Sequence, residues 1–115
     1  MPSASVDLVQ GTLEFLILKT LSKGPPKHGF QILRWVYETT DEALTIEEGS
    51  LYPALHRMER RKWIKAQWAT SEKGRRAKYY QLTTAGRKQL ANQEHQWSQY
   101  VAAVGKIVIS AEASP

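Results

Sequence analysis

The sequence contains no cysteine. Disulfides, thiolate metal sites and thiol nucleophiles are therefore excluded, and the absence fits a protein of the reducing cytoplasm. Long hydrophobic runs are missing as well. The best candidate, Leu13 to Leu21, is interrupted by Glu14 and Lys19 and falls far short of the roughly 18–20 apolar residues of a membrane span. It reads as a buried helix, with no signal peptide before it and no membrane partner implied. His28, His56 and His95 do not have the spacing of metal ligands, so no metal or cofactor is expected. The chain also lacks a phosphate-binding glycine loop, a pair of carboxylates placed for acid–base work and a nucleophile beside a base. Those absences argue against an enzyme.

Positive charge is present, and it is concentrated. The net charge is +5 over 115 residues. Between His56 and Lys78 stand nine cations (Arg57, Arg60, Arg61, Lys62, Lys65, Lys73, Arg75, Arg76 and Lys78) against Glu59 and Glu72. That surplus of seven exceeds the net charge of the whole chain, so the remainder is net negative. A basic patch on an otherwise acidic chain is the usual footprint of a polyanion surface.

The elements around the patch follow from periodicity and punctuation. Residues 1–7 and 111–115 read as tails. Leu8 to Ser22 has the pattern of a helix buried on more than one side, stopped by Pro25 and Pro26. A second helix is predicted over Gly29–Thr39, with Phe30, Leu33 and Tyr37 on one stripe and Ile32 and Val36 beside it. A third follows, with Leu51, Leu55 and Met58 facing inward. Thr45 and Glu48 have capping-box spacing. Pro53 favours a start near Gly49 or Ser50, which keeps the ring in the first turn. Ile64–Thr70 and Lys78–Thr83 alternate as strands of an antiparallel hairpin around a polar tip containing Gly74. In the hairpin Tyr79, Tyr80, Trp63 and Trp68 read as sheet and packing residues. A last helix opens after Thr83 or Thr84 and runs to about Ile109.

Three helices followed by a hairpin, with charge on the third helix and the hairpin tip, predict an α+β, mainly helical fold: a winged helix-turn-helix over residues 8–83, then a long helix over 84–110. Such domains lay the third helix in the DNA major groove. The inward stripe leaves Ser50, Tyr52, Pro53, Ala54, Arg57 and Arg61 as candidates for base or phosphate contact. Lys73, Arg75, Arg76 and Lys78 are the candidates on the wing. Arg60 is left aside as pointing away from the groove. On the last helix Leu90, Trp97, Val101, Val104 and Val108 step by coiled-coil intervals. This seam predicts a homodimer that reads a palindromic operator in double-stranded DNA. The competing function is a winged helix that docks an acidic protein through the same basic face.

Three segments, "GTLEFLILKTLSKGPPKHGFQIL" (11–33), "EEGSLYPALHRME" (47–59) and "GRRAKYYQLTTAGRKQL" (74–90), resemble the short members of the PadR family of bacterial transcriptional regulators. The resemblance spans about Leu8 to Trp97. It implies a winged helix with a C-terminal dimerisation helix and a repressor of nearby genes released by a ligand or signal. It also implies that Trp97 stands where such regulators place an aromatic wall for a flat aromatic effector, beside its plainer role in interface packing. One departure is Lys62, where the family usually has Gly. A left-handed Lys there costs about 1–2 kcal/mol.

Overall fold

In the computed structural model, which describes residues 6–113, the order is α1 (Leu13–Leu21), α2 (Gly29–Thr39), α3 (Glu48–Arg60), β1 (Ile64–Thr70), β2 (Arg76–Leu82) and α4 (Thr84–Ala113). This is the winged-helix arrangement with a long C-terminal helix. The tails expected at residues 1–5 and 114–115 lie outside the described residues, and α4 takes in Ala111–Ala113, three residues of the expected C-terminal tail.

α1 starts five residues later than its apolar pattern suggests. Gly11 has φ +86°, and the Thr12 N–H and hydroxyl both donate to the Val9 carbonyl, at 3.1 and 2.6 Å. That turn breaks the helical ladder before Leu13 and occupies the hydroxyl that could have capped it. α1 then touches α2, α3, α4 and β2, with Ile17, Leu18, Thr20 and Leu21 buried. It is the centre of the core.

α2 is capped by His28, whose Nδ1 accepts from the Gln31 N–H at 3.3 Å while Gln31 Oε1 accepts from the His28 N–H at 3.0 Å. The reciprocal box expected at Thr45 forms here instead, and α3 opens at Glu47 without a side-chain cap. On α2 the inward stripe is Gly29, Ile32 and Val36. Phe30 and Tyr37, expected on a neighbouring stripe with Leu33, are 57% and 38% exposed.

α3 begins one or two residues earlier than expected, which makes Pro53 its sixth residue. Pro lacks the N–H that the Gly49 carbonyl would have received. Both residues lie on the exposed side of the helix, where water can serve that carbonyl. The helix ends with the Trp63 N–H donating to the Met58 carbonyl at 3.0 Å and the Lys62 N–H to the Glu59 carbonyl at 2.9 Å. This is the Schellman pattern, with Lys62 at φ +63° in the position that favours glycine.

β1 and β2 pair antiparallel, with Ile64 opposite Leu82 and Ala66 opposite Tyr80. Ile64, Tyr80 and Leu82 close the core from the sheet side. Lys27 adds a one-residue third rung through paired backbone bonds with Tyr80, at 3.1 and 2.8 Å. Thr83 then joins the sheet to α4. Its N–H donates to the Trp63 carbonyl at 3.0 Å, its hydroxyl donates to the Lys62 carbonyl at 2.6 Å, and that same oxygen accepts the Gly86 N–H at 3.0 Å. A Cβ on Gly86 would lie 1.9 Å from the Trp63 carbonyl oxygen, so no larger residue fits without parting the two segments.

α4 has 30 residues, about 45 Å at 1.5 Å per residue. The radius of gyration is 16.5 Å, against about 13 Å for a compact chain of this length; the overhang of α4 accounts for the excess. Among the described residues no helix is long and apolar enough to cross a membrane.

Two substitutions test the junction. Lys62→Gly should stabilise the protein by about 0.5–1 kcal/mol, the left-handed strain relieved less the extra unfolded-state entropy of glycine. Gly86→Ala should destabilise it by about 1–3 kcal/mol through overpacking. Thermal unfolding at one fixed protein concentration checks both, and a loss of stability in Lys62→Gly would refute the strain.

Candidate nucleic-acid interface

Leu51, Ala54, Leu55 and Met58 are the buried residues of α3. Ala54 is fully buried, so it belongs to the core and leaves the set of groove-facing candidates. At about 100° per residue, the line farthest from the buried stripe is Gly49, Pro53, His56 and Arg60, all exposed. Pro53 was expected there. His56 and Arg60 were not, and Arg60, set aside on sequence, stands on the outermost line. At that spacing Arg60 already lies opposite the Leu51, Leu55 and Met58 stripe, and burial of Ala54 leaves it there.

The other α3 candidates lie on the flanks. Arg57 and Arg61 lean toward α1, where Glu14 Oε1 is 3.8 Å from Arg57 Nε and Glu14 Oε2 is 3.5 Å from Arg61 Nη1. The Arg61 guanidinium also sits 5.0 Å from the Trp63 ring centroid. Ser50 is exposed at the first turn of α3, beside a shallow hollow formed with Leu8 and Leu13. Tyr52 lies on the opposite flank with its ring laid over Gly29, so close that a Cβ there would come within 2.6 Å of the hydroxyl. Gly29 thus lets α2 and α3 approach, and Tyr52 remains 41% exposed.

Across from α3 stands the wing. Its tip turns at Gly74, φ +77°, with the Ser71 N–H donating to the Arg75 carbonyl at 2.7 Å. Lys73, Arg75 and Arg76 are exposed there. Trp68, expected to pack, is 55% exposed; the Arg76 guanidinium lies over its ring at 5.4 Å, a cation–π contact that steadies the arginine. Lys78 points back toward α3 and pairs with Glu59 at 3.3 Å, which partly neutralises it. Tyr79 meets His28 edge-on, ring centroids 5.3 Å apart, and Tyr80 is buried in the core. Burial pushes the Tyr80 hydroxyl above the usual tyrosine range, with Glu59 and then Tyr52 adding to it. Burial likewise lowers the Lys27 ammonium.

Between α2, the Tyr52 and His56 side of α3 and the wing runs an open groove of about 850 Å³, lined by Phe30, Arg34, Tyr52, His56, Trp68, Arg75 and Arg76 among others. Cations at its rim and aromatic rings on its walls suit a phosphate backbone and its sugars. The "Transcriptional regulator PadR-like family" model matches residues 17–92. The chain belongs to this family.

Solved structures of similar chains agree with this PadR-like assignment. A transcriptional regulator from Clostridium thermocellum is 29% identical, with a TM-score of 0.79, covering 90% of this chain and 99% of that one. A PadR family transcription regulator from Clostridium difficile is 30% identical, with a TM-score of 0.74, covering 85% and 99%. A PadR-like transcriptional regulator from Bacillus cereus is 28% identical, with a TM-score of 0.74, covering 86% and 93%. An uncharacterized protein of Lysinibacillus sphaericus is 26% identical over 93 residues, 81% of this chain and 84% of that one.

In this PadR-like regulator α4 from Trp97 onward presents Trp97, Tyr100, Val101, Val104, Ile107 and Val108 to the outside. Leu90 does not join them. It is buried against the protomer's own core and is corrected from interface to core, because the seam reaches the domain before Trp97. Trp97 packs on Phe15 of α1, centroids 6.2 Å apart, and neighbours Tyr100 at 6.5 Å.

The wing geometry yields a measurable outcome. Replacing Arg75 and Arg76 together with Ala should weaken binding to every duplex and reduce the salt slope by about 0.9 for each phosphate no longer neutralised. Binding titrations from low to moderate salt supply the slope. An unchanged slope would keep the wing off the backbone.

Proposed function

We propose that this PadR-like protein is a dimeric, sequence-specific repressor working in the bacterial cytoplasm, released from a palindromic operator by a flat aromatic effector. The observation that carries the reading is the groove between α3 and the wing, whose exposed cations face one side of the molecule. Of α3, Tyr52 and His56 line this groove; on the helix's outer line Gly49, Pro53, His56 and Arg60 form the base-reading edge, while Arg57, Arg61 and the wing cations serve phosphates.

Support for the dimer comes from α4. Trp97, Val101, Val104 and Val108 are between 37% and 49% exposed, an apolar ridge that overhangs the domain and gains free energy only when covered. A second copy of the same helix supplies matching steps of four, three and four residues, and sets two α3 helices on successive half-sites. The aromatic trio Phe15, Trp97 and Tyr100 at the root of the ridge supports an effector wall between subunits. Docking of an acidic protein through the basic groove would give binding without preference for any base order.

His56→Ala and Arg60→Ala should each cost about 1–3 kcal/mol on the operator, and less on random duplex. A palindrome preferred over its scrambled sequence at fixed salt removes the protein-docking alternative, whereas equal binding to both restores it.

For the dimer, Val101→Asp with Val104→Asp should give monomers by sedimentation, because each would bury an unpaired carboxylate, and operator affinity should fall with dimerisation. Trp97→Ala should remain dimeric yet lose any shift in operator affinity caused by aromatic compounds. A Trp97→Ala dimer that responds like the parent would make Trp97 a packing residue only.

A further inference from the structure

The basic patch is not a free array of cations, and its principal internal counterion comes from a helix outside the helix-turn-helix pair. Glu14, on α1, is the nearest anion to two arginines of α3 at once. Each carboxylate oxygen serves a different guanidinium, Oε1 at 3.8 Å from Arg57 and Oε2 at 3.5 Å from Arg61. Arg57 and Arg61 are one helical turn apart, so a single carboxylate set into the α1–α3 crease spans both. Glu14 keeps only 22% of its side-chain surface, while Arg57 and Arg61 keep 42% and 54%. The anion is anchored and the cations are accessible.

Neither pair is a parallel two-bond fork, the arrangement in which Arg holds a carboxylate or phosphate most firmly. Unused N–H donors therefore remain on both guanidiniums. Ion pairs that are long, shared and half-exposed are weak and exchange readily. A DNA phosphate arriving at this flank offers each arginine an anion of its own, with the release of condensed counterions besides.

We propose that Glu14 is an intramolecular competitor for DNA phosphate: it holds Arg57 and Arg61 in place in the free protein and subtracts one charge from the binding face. This deepens the DNA-binding reading above and rests on it. Glu14 then acts as a positioning residue that sets the strength and salt dependence of binding without touching DNA. A chain with this carboxylate avoids clinging to random duplex, because the α1 flank of α3 carries one net positive charge where two arginines alone would carry two.

The test uses the full chain. Glu14→Gln keeps the shape and an acceptor oxygen but removes the charge. It should tighten binding to random duplex about tenfold at low salt and make the salt slope more negative by about 0.9 per protomer. Glu14→Ala, which removes the acceptor too, should show the same gain, and circular dichroism of both reports the fold. The decisive arm repeats Glu14→Gln in an Arg57→Gln, Arg61→Gln background, where the gain should vanish. A gain that persists there reflects the general field of the protein and overturns the proposal. So does a folded Glu14→Gln protein with unchanged affinity and slope, or one that binds more weakly. Were the unsubstituted chain to bind no duplex at all, the DNA-binding reading would fall and this inference with it. Normal binding by the unsubstituted chain with no effect of Glu14→Gln sinks this inference alone.

Discussion

The molecule is organised around the carbonyl of Trp63. It accepts the Thr83 N–H at 3.0 Å, and Gly86 approaches it too closely for any Cβ. Three elements meet at that point: the end of α3, the base of the hairpin and the start of α4. Lys62 turns the chain there with a positive φ and ties α3 off through its Schellman bonds. The Thr83 hydroxyl closes the arrangement by donating to Lys62 and accepting from Gly86. Because hydrogen bonds are directional and the glycine contact admits no slack, the recognition helix, the wing and α4 are set at one mutual orientation. Strain of a left-handed lysine is tolerated because the surrounding bonds over-determine it.

From that junction the charge on the α3 and wing face becomes intelligible. Of the cations clustered between residues 57 and 78, Arg57 and Arg61 are held by Glu14, Lys78 by Glu59, and Arg76 by the face of Trp68. The carboxylates also lower the net charge of this face. What faces outward along α3 is the short line of Gly49, Pro53, His56 and Arg60.

α1 links the two halves. One of its faces carries Glu14 toward α3, while Phe15 and Lys19 meet Trp97 and Glu94 of α4, the latter pair at 2.7 Å. Ile17, Leu18 and Leu21 bury the helix in the close-packed core. α1 thus contacts both the root of the α4 ridge and the flank of α3. The open apolar surface of α4 and the charged surface of α3 are properties of one packed body, and membership of the PadR-like family is consistent with both.

Much of this was legible in the sequence alone. Periodicity and punctuation identified four helices and a hairpin in order, and alternation grouped Ile64, Ala66 and Trp68 on one face of the first strand and Tyr80 and Leu82 on one face of the second; Trp68, beyond the edge of the core, is exposed. The charge count located the basic region. Which cations remain free was beyond it, since Glu14 is 43 positions from Arg57 in the chain yet beside it in space. On helices the period of 3.6 assigns a face only to within one residue on either side. Ala54 and Leu90 therefore turned inward and Phe30 outward once neighbours covered one side. Gly11 and Pro53 shifted helix ends for a related reason, because a turn or a missing N–H is decided by which local bonds the rest of the fold allows to form. The sequence by itself determined the elements, their order and the sign and region of the charge. The crossing of α1 between α3 and α4, and with it the pairing of each arginine, was settled only by tertiary packing, since electrostatic partners are chosen by distance in space and not by distance along the chain.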